Sequence, residues 1–351
     1  MMAATASAAR RRADSVRSWL ALAETTLGNA SDRLNAINIF PVADGDTGTN
    51  MYQTVRAARL AVDEGGSLTG DEQDLGDVLA LAGRAALDQA RGNSGTLLAV
   101  MLTAMSGALS GLDRLTAPAL AVALERARTA AWAALSDPQE GTMLTVLASA
   151  ASTAADHLAG LQGLSAAERE GRRVLAEALD AVVAAAWTAV EHTEEQLAPL
   201  TEAKVVDSGG MGLLLVLDAL RASVLDTALD PDLVDGLHGF GPESPHIHEE
   251  IDPVAGYELM CSIRLDPLAA ATLRFELNEV GDSVIMSPLH TDPDPDGAVT
   301  WRLHAHVVDA DEAMSMLRAA GSPTNLVLEP LAGSDEDSCV SDVHGQDGPA
   351  G

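Results

Sequence analysis

Across residues 1–227, apolar residues recur at helical spacing in eight consecutive stretches, around 14–28, 51–62, 74–90, 95–111, 117–135, 141–160, 166–195 and 210–226. Chain breakers separate them: Gly65-Gly66, Gly92-Asn93, Pro118, Pro138, the Gly160 to Gly163 stretch and Pro199. Ser165 and Glu168 have the spacing of a capping box and mark a helix start. Aromatics make up only 3% of the chain, so the helices must pack through small and aliphatic side chains. The pattern predicts an all-α helical barrel or bundle of about eight helices.

After residue 227 the pattern changes twice. Residues 228–255 are rich in Gly and Pro and read as a linker. Residues 256–331 then read as strand 257–265, helix 267–280, strand 283–287, strand 300–308, helix 310–320 and strand 325–331. That β-α-β-β-α-β order predicts a small ferredoxin-like α+β domain. Residues 332–351 are Gly/Ser/Asp-rich and read as a disordered acidic tail.

The net charge of −31 argues against nucleic acid or an anionic membrane surface as partner, because both would be repelled. Lys204 is the only lysine and lies in no Gly-rich phosphate loop, which excludes a Walker A site. Cys261 and Cys339 lack paired spacing, so no disulfide scaffold is expected. Arg10, Arg11 and Arg12 precede no apolar segment of signal-peptide type, and no apolar run suggests membrane insertion. A soluble, cytoplasmic protein is the expectation.

Four segments of the helical half place Gly with small hydroxyl, amide or carboxylate residues at a helix start. They are Asn38-Ile39-Phe40-Pro41-Val42-Ala43-Asp44-Gly45-Asp46-Thr47-Gly48-Thr49-Asn50, Arg91-Gly92-Asn93-Ser94-Gly95, Glu140-Gly141-Thr142-Met143 and Val206-Asp207-Ser208-Gly209-Gly210. Each residue type is also common in ordinary turns and N-caps. Two carboxylates across a glycine can converge on a hard cation such as Mg²⁺. Helix starts present unpaired N–H groups, and glycine lets a phosphate approach the backbone. Metal and phosphate together point to a nucleotide-using enzyme.

The long first segment resembles the metal loop of the dihydroxyacetone kinase L-type (DhaL) family, and its Asn-x-Phe-Pro-Val form is similar to the fatty acid kinase catalytic-subunit branch. The other three segments follow in the family's order, so the resemblance spans about residues 31–226. It implies ATP as cofactor, with two Mg²⁺ ions on Asp44, Asp46 and, more weakly, Asn38. It implies Asp44, Asp46 and Asn50 as the catalytic set. Thr47, Gly48, Thr49, Asn50, Asn93, Ser94 and Gly95 would line the phosphates. Thr142 and Met143 would face the base, and Asp207, Gly209 and Gly210 would cap the nucleotide. That branch continues into a further large C-terminal domain, which this sequence does not include.

In the second domain, His304 and His306 alternate on one strand and share a face, with Glu258 and Met260 beside them on the neighbouring strand. Glu258, His304 and His306 form a candidate zinc site, and two solvated histidines on an open sheet face are the plainer expectation. The fatty acid kinase branch has a Cys-His-His zinc site here. This chain has Glu258 at the cysteine's position, and Cys261 falls on the opposite face.

The resulting expectation is ATP- and Mg²⁺-dependent phosphoryl transfer to a fatty acid carboxylate presented by a separate fatty-acid-binding carrier protein, giving an acyl phosphate. A carboxylate acceptor is already ionised and needs no general base, whereas a hydroxyl acceptor does. The alternatives are a hydroxyketone kinase subunit of dihydroxyacetone type, and a nucleotide-binding scaffold without transfer activity. A homodimer is compatible with all three.

Overall fold

The computed structural model of the chain describes residues 2–64, 74–230, 233–234, 237–240, 256–289 and 294–331. The acidic tail expected at 332–351 and the histidines His246 and His248 lie outside the described residues.

The N-terminal part is helical throughout. Its helices are α1 (Met2–Ala36), α2 (Thr47–Glu64), α3 (Leu75–Gln89), α4 (Gly92–Ser106), α5 (Ala117–Ala134), α6 (Met143–Ala159), α7 (Ala166–Arg169), α8 (Arg172–Gln196), α9 (Ala198–Ala203) and α10 (Ser208–Leu225). Local chemistry sets many of the starts. Asp74 and Asp77 make a reciprocal capping box on α3, and Thr116 caps α5 with Pro118 in its first turn. The Ser165/Glu168 box forms as expected, but it starts only the single-turn α7, and the chain restarts at Arg172 as α8.

The eight long helices close into a ring. Each packs on the next in the order α1, α2, α3, α4, α5, α6, α8, α10 and back to α1. Small residues fill the closest approaches: Gly83 meets Thr103, Gly95 meets Thr54 and Gly210 meets Val146. Among the described residues α10 alone is long and apolar enough to cross a membrane by composition, which the sequence reading overlooked. It is the core helix here, 72% buried, and a helix that is apolar all round belongs in such a place. Leu233, Leu237 and Phe240, beyond α10, are buried against the same core. Arg33 fixes this return by donating to the Phe240 carbonyl and lying 4.2 Å over its ring.

The second part is β1 (Tyr257–Leu265), α11 (Pro267–Val280), β2 (Gly281–Pro288), β3 (Val299–Val307), α12 (Ala310–Ala320) and β4 (Thr324–Pro330). The strands form one antiparallel sheet in the order β2-β3-β1-β4, the ferredoxin-like arrangement. Alternation decides its two faces. Leu259, Cys261, Ile263, Leu303, Ala305 and Val307 pack with Leu273 and Leu277 of α11 and Leu317 of α12 into a second core. The opposite face, with Glu258, His304 and His306, turns to the helical ring rather than to solvent: all three are buried, and β2 and β3 pack on α4.

Two further contacts fasten the parts together. Ser136 donates its backbone N–H and its hydroxyl to the Val284 carbonyl, beside a bridge between Leu135 and Ile285. Arg274 of α11 reaches the end of α5, donating to the carbonyls of Ala133 and Leu135 and to Ser136 Oγ.

Candidate functional site

In a closed ring of helices joined by short turns, alternate helices start at the same end. The starts of α2, α4, α6 and α10 are therefore brought together, and these are the four Gly-containing segments. They enclose a cavity of about 690 Å³, within the range of small-molecule sites. Asp44, Asp46 and Thr47 line it from the first segment, Asn93 and Ser94 from the second, Thr142 and Met143 from the third, and Asp207 and Gly209 from the fourth. The second domain closes the remaining side through Asn278, Gly281, Asp282, Ser283 and His306.

Asp44 is half-buried in the cavity wall. Its carboxyl is pushed up to about 7, first by burial and then by the charge of Asp46, while His306 and the Asn38 amide pull it back. Two acidic groups this close on a half-buried wall suit a divalent cation, which would remove their mutual repulsion. Asn38 Nδ2 donates to Asp44 Oδ1, and Asn38 itself lines the cavity beside it.

Asp207 is fully buried at the α10 start. Its Oδ2 accepts the Gly210 N–H at 2.6 Å, and the nearby Met143 N–H also favours its charged form. Burial nonetheless pushes it up to about 7. Its side chain reaches the cavity.

Several candidate residues sit elsewhere. Gly48 and Thr49 donate their N–H groups to Asn35 Oδ1 on α1, and Thr49 Oγ1 accepts from Asn35 Nδ2, away from the cavity. Gly95 and Gly210 serve close helix contacts, where an added Cβ would come within 2.7 Å of Thr54 Oγ1 and 2.8 Å of Val146 Cγ2. Asn50 is buried behind Gly92 and does not line the cavity, and its Nδ2 has no partner among the described residues. The unpaired N–H groups expected at the helix starts are also partly taken. Asn35, Glu258, Thr142 and Asp207 accept those of Gly48, Gly92, Leu144 and Gly210. Side-chain caps satisfy these donors because α-helix starts have no internal acceptors for them.

The sheet's polar face adds a second cluster beside the Asp44/Asp46 loop. Ligand atoms of Glu258, His304 and His306 lie within 4.8 Å of one another. His304 is 1% exposed, and neither ring nitrogen has a hydrogen-bond partner. Burial, then His306 and Arg302, drive its pKa well below the ordinary histidine value, so the ring is neutral and able to ligate. Glu258 Oε1 lies 3.4 Å from His304 Nδ1, and His306 Nδ1 lies 3.5 Å from Asp282 Oδ1. The donor set fits a zinc ion, and the buried orphan nitrogens of His304 give that fit its physical reason. Cys261 faces the second core, where burial pushes its thiol up to about 12, so it takes no part.

Sequence reasoning missed the cavity wall formed by Leu135, Ser136, Asn278 and Ser283. A faint signal existed in the Gly281-Asp282-Ser283 turn. The register of β2 on β3 shifts between Asp282 and Ile285, and Ser283 takes φ +54°, the form of a bulge that re-aims side chains.

The model of the DAK2 domain matches residues 41–222, a span that holds three of the segments whole and the first from Pro41 onward. Protein YloV of Bacillus subtilis is 33% identical over 279 residues, covering 76% of this chain and 47% of that protein. An uncharacterized protein of Staphylococcus haemolyticus is 30% identical over 272 residues, covering 74% and 46%. The chain thus spans about half the length of the curated relatives it matches. Among solved structures, the dihydroxyacetone kinase from C. freundii in complex with AMP-PNP and Mg²⁺ is 23% identical, covering 59% of this chain and 33% of that one, with a TM-score of 0.42. With more than half of its length inside the matched span, including both aspartates of the first segment and the other three segments whole, the chain belongs to the DAK2 domain family.

Proposed function

We propose that the chain is an ATP- and Mg²⁺-dependent phosphotransferase whose nucleotide lies in the cavity at the end of the helical ring. The observation that carries the reading is the meeting of Asp44, Asp46, Ser94, Thr142 and Asp207 in one cavity, although 163 positions separate the first from the last (207 minus 44). Bound Mg²⁺ would neutralise charge on the transferring phosphate. The chain's own part is to position: Asp44 and Asp46 hold the metal side, Asn93 and Ser94 face the phosphates, and Met143 with the Thr142 turn faces the base. Phosphoryl transfer needs this placement more than it needs covalent protein chemistry. Under the same reading Glu258, His304 and His306 hold a structural zinc ion. A cytoplasmic setting, where ATP is available, goes with it.

For the acceptor, the resemblance of the metal loop to the fatty acid kinase branch supports a fatty acid carboxylate delivered by a carrier protein. One observation favours a second reading, a hydroxyl acceptor such as a hydroxyketone. His306 lines the cavity with its Nδ1 beside the Asp282 carboxylate, the arrangement that orients an imidazole as a base. The discriminating experiment supplies Mg·ATP with either a fatty-acid-loaded carrier or dihydroxyacetone, using wild type, Asp44→Ala and Asp46→Ala. Transfer to the carrier's fatty acid that both variants lose supports the first reading. Transfer to dihydroxyacetone selects the second. Undiminished turnover in both variants overturns the assignment of the metal loop.

A further inference from the structure

We propose that Glu258 is a positioning residue for the phosphate-facing segment: from the second domain it caps the start of α4 and so sets Asn93 and Ser94 against the cavity. The proposal rests on the nucleotide reading above and deepens it by making the second domain part of the nucleotide site. It acts through the backbone of Gly92, since Glu258 itself does not line the cavity.

Three of the four converging helices are capped from the helical ring. Asn35 of α1 serves α2, Thr142 serves α6 and Asp207 serves α10. For α4 the N-cap residue is Arg91, whose side chain makes no cap hydrogen bond. The missing acceptor comes from 166 residues further along the chain, where Glu258 Oε1 takes the Gly92 N–H at 2.8 Å. Gly92 has φ +60°, a backbone form that glycine adopts freely, and a Cβ there would strike Asn50 Nδ2. Both requirements leave glycine at the point where the backbone turns into the helix and gives its N–H to the sheet.

The partnership is favourable from both sides. A buried carboxylate needs a donor, and the positive end of a helix is a good place for negative charge. Glu258 is only 8% exposed. A second tie runs from β4 to the same turn, with Arg91 Nη1 3.2 Å from Glu329 Oε1. This pair is half exposed and adds little alone. The next two residues after Gly92 are Asn93 and Ser94, both on the cavity wall. Without the cap, the first turn of α4 would have to be ordered by the ligand, and affinity would fall accordingly.

The test uses the full chain with Glu258→Met, which keeps the side-chain volume without an acceptor, and Glu258→Gln, which keeps an acceptor oxygen without the charge. Calorimetry with Mg·ATP is expected to show roughly fivefold weaker binding in Glu258→Met, the size of a typical lost N-cap, and near wild-type binding in Glu258→Gln. Glu329→Gln is the control. It weakens the exposed tie to Arg91 at the same turn but leaves the cap, so its affinity should stay near wild type. Equal weakening in Glu329→Gln, or none in Glu258→Met, overturns the proposal. Hydrogen exchange at the Gly92 amide gives a readout that needs neither ATP nor a folded Met variant. It should be slow in wild type and in Glu258→Gln, and fast exchange in wild type overturns the cap. If wild type binds no Mg·ATP while its Gly92 amide is protected, the nucleotide reading has failed and takes the positioning role with it, whereas the cap stands.

Discussion

Asp207 and Gly210 are joined at the start of α10, beside the cavity, the buried carboxylate of one taking the backbone N–H of the other at 2.6 Å. The contact has a cost with a definite sign. Asp207 is pushed from its ordinary 3.8 up to about 7, chiefly by burial. Between those values the folded chain keeps a proton that the unfolded chain has lost, so stability falls as pH rises, by up to about 1.4 kcal/mol per pH unit. Below the unfolded value the penalty is absent. Asp207→Asn removes this dependence and keeps an acceptor for the Gly210 N–H. Its stability relative to wild type should therefore rise from pH 5 to pH 8, as measured by urea denaturation at each pH. A constant difference would show that Asp207 titrates normally.

The Asp44 and Asp46 pair should make stability depend on Mg²⁺. The two carboxylates line one side of the cavity, and Asp44 is pushed up to about 7 by burial and by Asp46. A cation bound only by the folded state adds about 2.7 kcal/mol at a hundred times its dissociation constant. Mg²⁺ is expected to raise the melting temperature of wild type. Asp44→Asn should abolish that rise and should itself melt higher than wild type in EDTA at pH 8, because it deletes a carboxylate whose ionised form the fold disfavours.

What could be read from the sequence was local. The helical stretches carry their own periodicity and punctuation, and strands such as Tyr257–Leu265 and helices such as Pro267–Val280 and Ala310–Ala320 are bounded by Gly, Pro or capping Asp. Residue type alone marked the four segments, and the alternation of the ring explains why they meet. Contacts between distant segments could not be read. Nothing around Gly92 announces that its acceptor lies on β1, and nothing around Gly48 announces Asn35. The histidines show the same limit. Alternation put His304 and His306 on one face correctly, but only the docking of the sheet on α4 decides that this face is buried.

Arg274 should be the strongest single fastening between the two parts. α5 ends at Ala134, leaving carbonyls without helical partners, and the guanidinium of Arg274 serves those of Ala133, at 2.9 Å, and Leu135. Hydrogen bonds from a charged donor contribute about 1.5–3 kcal/mol, and a cation at a helix C-terminus adds to that. Arg274→Ala is expected to lower stability by about 2–4 kcal/mol in urea denaturation, and Arg274→Lys to recover only part, since an ammonium cannot reproduce the planar fork. A loss below about 0.5 kcal/mol for the alanine variant would show that the Ser136–Val284 contact suffices.

Gly48→Ala separates packing from ligand binding in the first segment. Glycine inside a helix normally costs roughly 0.5–1 kcal/mol relative to alanine, so the substitution would stabilise an open helix. At Gly48 the new Cβ would press on the Ser31 carbonyl oxygen, with Asn35 Oδ1 and Leu34 Cβ each at 2.9 Å. The first obstacle is backbone of α1, which can yield only if the α1–α2 contact opens. Overpacking of this kind costs about 1–3 kcal/mol and outweighs the helix gain. Gly163, with no atom within 4 Å of an added Cβ, gives the matching control. Gly48→Ala should lose about 1–2 kcal/mol of stability while Gly163→Ala stays within about 0.5 kcal/mol of wild type. Because Gly48 does not line the cavity, the folded Gly48→Ala protein should bind Mg·ATP as wild type does. Weakened binding without loss of stability would instead return Gly48 to the phosphate site.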